Sequence, residues 1–342
     1  MEFKFVLGVD QSKKWFDCCL MNAQFTILLE EKVENTPSAI LAFISKLLAL
    51  GHFKDITEVL LAVEATGIYT QHLTNSWLLK GGELTMLHAP KISEHLAGQI
   101  AFEEKDDPLD ARRAAEYTFR FSDKLKLWKP KEVTLQLLQG LQRQRERLIS
   151  AINLLEVPLK ESEQFDLTQI SETLANYQAG SMESLRNDLD NLEKNIQKLI
   201  DTDPYLNQLF QLVISVEGIG PVTAREILIT TEGFTKFTPD QAKAYARYVG
   251  VIPNKKRSGT SVRKKDKISA RKHKKLKSNL TMGAQSLVNS KLELGQYYRR
   301  KKAQGKHHLC VINAMRNKMI LRVFAVVRNQ VSYQKDLNVA IQ

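Results

Sequence analysis

Three features are scarce in this 342-residue chain, and each shortage excludes a class of protein. Cysteine occurs only at Cys18, Cys19 and Cys310, which gives no disulfide framework and favours a reducing compartment. No apolar run approaches the roughly 20 residues that a membrane-spanning helix needs. The first residues, MEFKFVLGVD, lack the basic start and apolar core of a signal peptide. We therefore expect a cytoplasmic protein with no membrane partner.

Acidic residues are scarce in one part of the chain. Residues 254–306 contain 18 Lys or Arg and only two acids, Asp266 and Glu293, so this segment carries +16. The whole chain carries +12, and the remaining residues therefore sum to −4. Such a concentrated positive patch is typical of a protein that binds a polyanion. It has no broad aromatic face to insert into a membrane, and we expect a nucleic acid as the partner.

At 342 residues the chain is long enough for two or three domains, and its hydrophobic content of 43% and charged content of 26% are ordinary for a soluble globular protein. In residues 1–125, apolar runs and helical patterns alternate in the order β-β-β-α-β-α-β-α. This order predicts three meandering strands followed by crossover units, which form a mixed sheet covered by helices. The last two helices of this segment are expected to start at Lys91 and Pro108.

Residues 126–205 carry Leu and Ile at helical and near-heptad spacing, which predicts two long helices broken around Pro158 and residues 176–182. Such a pair is either a coiled-coil arm used for dimerisation or a helical hairpin within one chain. The sequence does not separate the two. Residues 206–342 are predicted to be mainly helical, with a basic middle and a final amphipathic helix that packs as core.

A Gly-Ile-Gly turn lies between two apolar helical patterns in VISVEGIGPVTAREIL, which is typical of a helix-hairpin-helix. Backbone N–H groups at such a turn and at the next helix N-terminus can hold a phosphate. Together with the basic segment, this turn gives our predicted nucleic-acid-binding residues. They are Gly218, Gly220, Lys255, Lys256, Arg257, Gly259, Arg263, Lys264, Lys265, Arg271, Lys274 and Lys275.

Four acids are placed to form a metal site. Asp10 and Glu64 each end an apolar strand, and sites in α/β sheets gather beyond the carboxyl ends of strands. Asp107 and Asp110 lie three residues apart and can share one helix face. Carboxylates gathered in this way repel one another unless a cation is present, and hard oxygen ligands suit Mg²⁺ or Mn²⁺. The plain alternative is that Asp107 and Asp110 only cap and stabilise a helix N-terminus.

The stretches GVDQSKKWFD, VEATGIY and KDDPLDARRAAEY resemble the three acidic motifs of the DEDD insertion-sequence transposases related to the Piv DNA invertases. The resemblance implies a RuvC-like, RNase H-fold domain at residues 1–125 that binds metal through Asp10, Glu64, Asp107 and Asp110. In the third motif Asp106 stands where the family usually has Thr, so Asp106 is a rival metal ligand.

The stretches VEGIGPVTA, YVGVIPNKKRSGT and AMRNKMILRVFAVVRN resemble the same family's C-terminal transposase domain. The resemblance makes Ser258, followed by Gly259, the nucleophile that attacks the DNA phosphodiester. From the residues alone, a Ser-Gly surface turn is the commoner reading, and Ser261 is a rival nucleophile. The basic helix KHKKLKSNL departs from the family's Gly-Asn motif.

His307, His308 and Cys310 stand close together but lack partners at zinc spacing, and we interpret them as a surface cluster.

The sequence therefore predicts a Mg²⁺-dependent transposase or recombinase that forms a phosphoserine intermediate. The resemblance implies donor and target double-stranded DNA, a structured bridge RNA and a homo-oligomer, either dimer or tetramer, as partners. Two alternatives remain open. One is a metal-only RuvC-like nuclease of the Holliday-junction resolvase type, in which water attacks. The other is a non-catalytic DNA-binding protein.

Overall fold

The computed structural model describes residues 3–64, 67–87, 107–165, 167–253, 257–258, 262–263 and 273–334, and at 107–108, 257–258 and 262–263 it describes the backbone alone. The chain forms two compact units, Met1–Pro130 and Lys131–Gln342. Among the described helices, none is long and apolar enough to cross a membrane.

The described residues of the first unit form five strands: β1 (Phe5–Gln11), β2 (Trp15–Asn22), β3 (Ile27–Glu34), β4 (Val59–Glu64) and β5 (Glu83–Leu87). They form one mixed sheet with the order β3-β2-β1-β4-β5. Strands β1 to β3 are an antiparallel meander, and β4 runs parallel to both β1 and β5. The predicted meander, crossover units and mixed sheet are confirmed.

Helices cover both faces of this sheet: α1 (Pro37–Ala49), α2 (Gln71–Leu79) and α3 (Asp107–Arg120). Leu7 and Val9 of β1 belong to the core shared with α1 and α2, whereas Val6 belongs to the core shared with α3. Central strands buried on both faces read as continuous apolar runs, which is why β1 and β4 were recognisable in the sequence. The helix expected from Lys91 lies outside the described residues.

The second unit begins with two long helices, α4 (Val133–Gln164) and α5 (Thr168–Thr202), which pack on each other as a hairpin within one chain. The predicted breaks at Pro158 and at residues 176–182 are wrong, because both helices run through them; the first helix ends at Gln164 and the second begins at Thr168. Contacts with α5 continue on both sides of Pro158: Glu156 pairs with Arg186 at 3.4 Å, and Ser171 Oγ donates to Leu159 O at 3.3 Å. This packing outweighs the hydrogen bond that a helical proline loses.

The remainder of the second unit is mainly helical, as predicted. Its helices are α6 (Pro204–Ile214), α7 (Pro221–Thr231), α8 (Ala242–Val249), α9 (Lys274–Ser286), α10 (Glu293–Ala303) and α11 (His308–Asn329), and its strands are β6 (Arg257–Ser258) and β7 (Val262–Arg263). Helix α11 buries Met315, Met319 and Phe324 in the core, which confirms the predicted final core helix. The division of this unit at residue 205 stays a prediction.

Candidate active site

Asp10 and Glu64 occupy neighbouring positions on adjacent parallel strands. The register of β1 and β4 pairs Val9 with Val63, so Asp10 and Glu64 are the next residues of the two strands. Residues in the same register on adjacent strands point to the same face of the sheet and are about 4.8 Å apart along the hydrogen-bonding direction. Both side chains are partly buried. The pairing therefore brings two of the four predicted acids together at the carboxyl ends of β1 and β4.

Helix α3 packs on this same face, directly over Gly8. A Cβ atom at Gly8 would collide with the Ala111 carbonyl oxygen and lie 2.5 Å from the Ala115 nitrogen. Only a residue without a side chain allows the helix backbone this close to the strand. The small residues Ala111, Ala114 and Ala115 form the contacting stripe of α3, and all three are buried.

The direction of α3 follows from its other end. The Phe119 ring lies 5.9 Å from the ring of Phe25, which is in the turn between β2 and β3. That turn adjoins Asn22, which pairs with Phe5 at the start of β1. Since the end of α3 lies near the start of β1, the start of α3 lies toward Asp10.

The position of Asp107 can be derived from this contact. Asp107 is four residues before Ala111, a displacement of about 6 Å along the helix axis. Asp10 is two residues beyond Gly8, a displacement of about 6.6 Å along β1. Because the helix and the strand run in opposite directions, both displacements lead away from the Gly8–Ala111 contact in the same direction. Position 107 therefore lies toward the carboxyl ends of β1 and β4, where Asp10 and Glu64 lie.

Asp110 is exposed and accepts a hydrogen bond from Arg113 Nη1 at 2.9 Å. Asp106 lies outside the described residues. Among the side chains that the structure describes, which do not include Asp107, no three His, Cys, Asp or Glu lie close enough together to hold a metal ion. The ligands predicted at the carboxyl ends of β1 and β4 are carboxylate oxygens, which Mg²⁺ and Mn²⁺ prefer.

An ion pair that the sequence did not reveal also fixes α3 to the edge strand β3. Arg112 of α3 donates two hydrogen bonds to the Glu30 carboxylate on β3. These bonds hold the pKa of Glu30 below its usual value. Cys19 stands between Gly8 and Glu30 in the same cross-strand row, and burial raises its thiol pKa to about 12. Cys19 is therefore an uncharged packing residue.

A further acid, Asp17, lies beside the predicted site. Asp17 is paired with Asp10 across the antiparallel β1–β2 ladder, so the two side chains share a face. It is largely buried and lies 3.5 Å from Lys32 Nζ on β3. The stretch GVDQSKKWFD contains both acids, and their opposition follows from the tight turn between them once the register is known.

The predicted nucleophile, Ser258, lies in a short hairpin of the second unit. Strand β6 pairs antiparallel with β7, and Ser258 stands opposite Val262. Its side chain lies outside the described residues, as do several predicted neighbours and the rival nucleophile: Lys255, Lys256, Gly259, Ser261, Lys264, Lys265 and Arg271.

The two ends of the segment that carries this hairpin are fixed to the same place. His273 N donates to Tyr248 O at 3.3 Å, and Asn313 Nδ2 donates to Val251 O at 3.0 Å. Lys275, predicted to bind nucleic acid, forms ion pairs with Glu146 and, at 3.4 Å, with Glu226. Part of its charge is therefore balanced within the chain.

The Gly-Ile-Gly turn joins α6 to α7, and its two glycines differ. Gly218 has φ +79° and packs against α9, where a Cβ would lie 2.9 Å from Gly283 O. Gly220 is exposed at the N-terminus of α7. Gly218 is thus explained by packing, and phosphate binding at Gly220 stays a prediction.

His307 and His308 also have local partners: His307 Nδ1 accepts from Leu309 N at 3.3 Å, and His308 Nδ1 lies 2.8 Å from Tyr298 OH.

Two family models match the chain and together cover more than two thirds of it. One, for DEDD transposases of the IS110 type and described as "Transposase", matches residues 7–161. The other, described as "Transposase IS116/IS110/IS902 family", matches residues 210–299.

Similar proteins include the pilin gene-inverting proteins of Moraxella lacunata and Moraxella bovis, each 25% identical over 98% of this chain and 99% of its own length. An uncharacterised 43.6 kDa protein of the insertion element IS110 from Streptomyces coelicolor is 26% identical over 48% of this chain and 39% of its own length.

Among solved structures, T. thermophilus RuvC in complex with a Holliday junction substrate is 13% identical, with a TM-score of 0.29 over 36% of this chain and 99% of that chain. A likeness at this score supports no conclusion about the present chain.

Proposed function

Since this chain belongs to the IS110 family of transposases and is therefore a DNA transposase or recombinase, we propose that it moves an insertion sequence through a phosphoserine intermediate. The observation that carries the proposal is that Asp10, Glu64 and the start of α3 lie together at the carboxyl ends of β1 and β4. Reacting groups in α/β proteins gather beyond the carboxyl ends of strands.

In this proposal Asp10, Glu64, Asp107 and Asp110 hold one or two Mg²⁺ or Mn²⁺ ions. A bound divalent ion supplies a positive charge that neutralises the scissile phosphate and favours the alkoxide form of the attacking hydroxyl. The four residues come from β1, β4 and the first turns of α3. Gly8 and the Arg112–Glu30 pair keep the helix in the position that this ligand set requires.

Ser258 is the proposed nucleophile. Its Oγ forms a bond to the scissile phosphorus while the bond from phosphorus to one deoxyribose oxygen breaks, and the serine proton is lost as the leaving oxygen gains one. The product is a phosphodiester between protein and DNA, so the bond energy is retained for rejoining. A serine hydroxyl needs such activation, and the cations in the same segment favour it.

Partner choice is the second part of the proposal. A structured bridge RNA would pair with donor and target DNA, so that base pairing selects the sequence while the protein contacts the backbone. The basic segment 254–306 supplies the charge for both nucleic acids. The α4–α5 hairpin would join copies of the chain into a dimer or tetramer.

Two other functions predict different results. A metal-only nuclease of the resolvase type would use water, and Ser258→Ala would cut DNA normally without any covalent adduct. A non-catalytic DNA-binding protein would keep its function and its metal affinity after Asp10→Ala.

The deciding experiment is a trapping assay. The purified chain is incubated with Mg²⁺, matched DNA and the RNA that flanks its element, and a denaturing gel is examined for a protein–DNA adduct. We expect an adduct from the unaltered chain and none from Ser258→Ala or Asp107→Ala. Ser261→Ala is the matched control and should retain the adduct. Metal-dependent cutting without any adduct, unchanged in Ser258→Ala, would eliminate the serine mechanism.

A further inference from the structure

Helices α9 to α11 carry an unusual charge balance. Between residues 274 and 329 there are 13 Lys or Arg and a single acid, Glu293. That acid is already engaged, since Arg322 forms an ion pair with it and Tyr333 OH donates to it at 3.1 Å. Helix–helix packing in this region therefore leaves most of the positive charge without an acidic partner from the same stretch.

Part of this charge is concentrated around one aromatic ring. Lys318 Nζ, Arg300 Cζ and Lys301 Nζ lie 5.0, 5.7 and 6.0 Å from the centre of the Tyr297 ring. We call these four residues the Tyr297 cluster. Cation–π attraction places the cations, but a tyrosine ring has no net charge and does not neutralise them.

In the described part of the chain, no ion pair joins Arg300, Lys301 or Lys318 to an acid. Lys301 donates to the neutral Gln304 amide, at 2.9 Å. Each charge lies within 6.0 Å of the Tyr297 ring centre, so any two of them are at most about 12 Å apart, a distance comparable with the screening length of about 8 Å at physiological ionic strength. They therefore repel one another.

The α10 dipole explains only part of this arrangement. Arg300 and Lys301 lie in the last turn of α10, where cations are favoured by the carbonyl end of a helix. Lys318 lies in the middle of α11, far from either end of that helix, and is directed to the same ring. The convergence of two helices on one ring leaves a local concentration of positive charge that an anion would neutralise.

We infer that the Tyr297 cluster is a binding surface for the phosphodiester backbone of a nucleic acid. Closely spaced phosphates on one strand can neutralise several fixed cations at once, which a single acidic side chain cannot do. The surface is formed by residues outside the Ser258 hairpin and outside the first unit, so it holds nucleic acid without taking part in strand cleavage. The inference does not depend on the serine mechanism.

The test is the salt dependence of binding, measured without divalent metal so that no cleavage occurs. The triple variant Arg300→Gln, Lys301→Gln, Lys318→Gln is compared with the unaltered chain on duplex DNA, single-stranded DNA and hairpin RNA. Each lost phosphate contact lowers the slope of log Kd against log salt concentration by about 0.9 on a duplex and about 0.7 on a single strand. We expect a decrease on the order of 2 to 3 for the nucleic acid that the cluster binds.

The matched control removes three lysines that each lie within reach of an acid one helical turn away: Lys160→Gln, Lys194→Gln and Lys236→Gln. It changes the net charge equally and should leave the slope unchanged. A second variant, Arg300→Lys with Lys318→Arg, keeps the charges and should keep the slope, which separates charge loss from misfolding. A decrease on DNA alone or on RNA alone identifies the ligand. Slopes equal to those of the unaltered chain on all three nucleic acids would overturn the inference.

Discussion

Gly8 determines how closely α3 approaches the sheet. With no Cβ, it allows the backbone of α3 to rest on β1 between Ala111 and Ala115. Nothing in the local sequence marks this glycine as special, because a glycine within a strand usually indicates only a weak or bulged position. Its role depends on a helix about one hundred residues later in the chain.

We predict that Gly8→Ala displaces α3 and lowers the stability of the first unit by about 1–3 kcal/mol, the usual effect of overpacking. The yield of the protein–DNA adduct should fall by more than the loss of folded protein explains, because position 107 moves with the helix. Urea unfolding and the trapping assay measure the two effects. Gly140→Ala is the control: no atom lies within 4 Å of its added Cβ, and it should stabilise the helical hairpin by about 0.5–1 kcal/mol. Unchanged adduct yield in Gly8→Ala would contradict this account.

The Glu30–Arg112 pair predicts a pH dependence of stability. The pKa of Glu30 is lowered in the folded chain by the hydrogen bonds from Arg112, so the unfolded state binds its proton at higher pH. The pair therefore stabilises the fold above the ordinary glutamate pKa, and this stabilisation is lost as the pH falls through the lowered value.

Comparing Glu30→Gln with the unaltered chain checks this sign. Urea midpoints should differ at neutral pH and converge as the medium becomes acidic, while Arg112→Gln should behave like Glu30→Gln at neutral pH. A difference that grows as the pH falls would show that another group dominates.

At the scale of elements, strands and helices of the first unit could be predicted because their signals are local. Apolar runs, Pro37 at a helix start and glycines at turns mark them directly. Cross-strand register is not local, and a shift of one residue moves every side chain to the other face. This is why the sequence alone does not predict that Asp17 lies opposite Asp10.

The helical hairpin shows the opposite error. Pro158 and Gly180 are strong local signals for a helix end, yet both lie inside helices. The contacts that override them come from the facing helix, as when Arg145 of α4 pairs with Glu193 of α5. Local propensity is a weak prior when a long apolar face is buried along the whole element.

The distal third of this hairpin predicts the state of association. Leu154 and Tyr177 are 75% and 86% exposed, and Phe165 at the turn is 73% exposed. Large apolar side chains left in water on one element are typical of a surface that meets a second chain. We expect Leu154→Lys with Tyr177→Lys to reduce the molar mass in light scattering from that of an oligomer to that of a monomer. Lys160→Gln with Lys194→Gln serves as a control on the same helices. A monomeric unaltered chain would contradict the proposal.

At the scale of the whole molecule, the two units differ in charge. Residues 1–130 contain 15 basic and 18 acidic side chains, whereas residues 131–342 contain 35 basic and 20 acidic ones. Each unit also has its own hydrophobic core. The acidic unit thus suits cation binding, and the basic unit suits nucleic acid.

Separate cores predict separate unfolding transitions in calorimetry. Gly8→Ala should lower the midpoint of one transition and Gly283→Ala that of the other, because a Cβ at Gly283 would collide with Gly218 O in the second unit. If both substitutions lower the same single transition, the two units fold as one.

The pairing order of the sheet also has a consequence for synthesis of the chain. Strand β1 receives β2 on one edge almost at once, but its other edge waits for β4, which begins at Val59. At ribosomal speed this interval lasts on the order of a few seconds. During it the nascent chain presents the apolar edge Val6–Val9 with unpaired backbone groups, the kind of surface that captures stray strands. A chaperone at the ribosome exit has that interval in which to cover the unpaired side of β1. Asp10 and Glu64 become neighbours only when β4 pairs with β1.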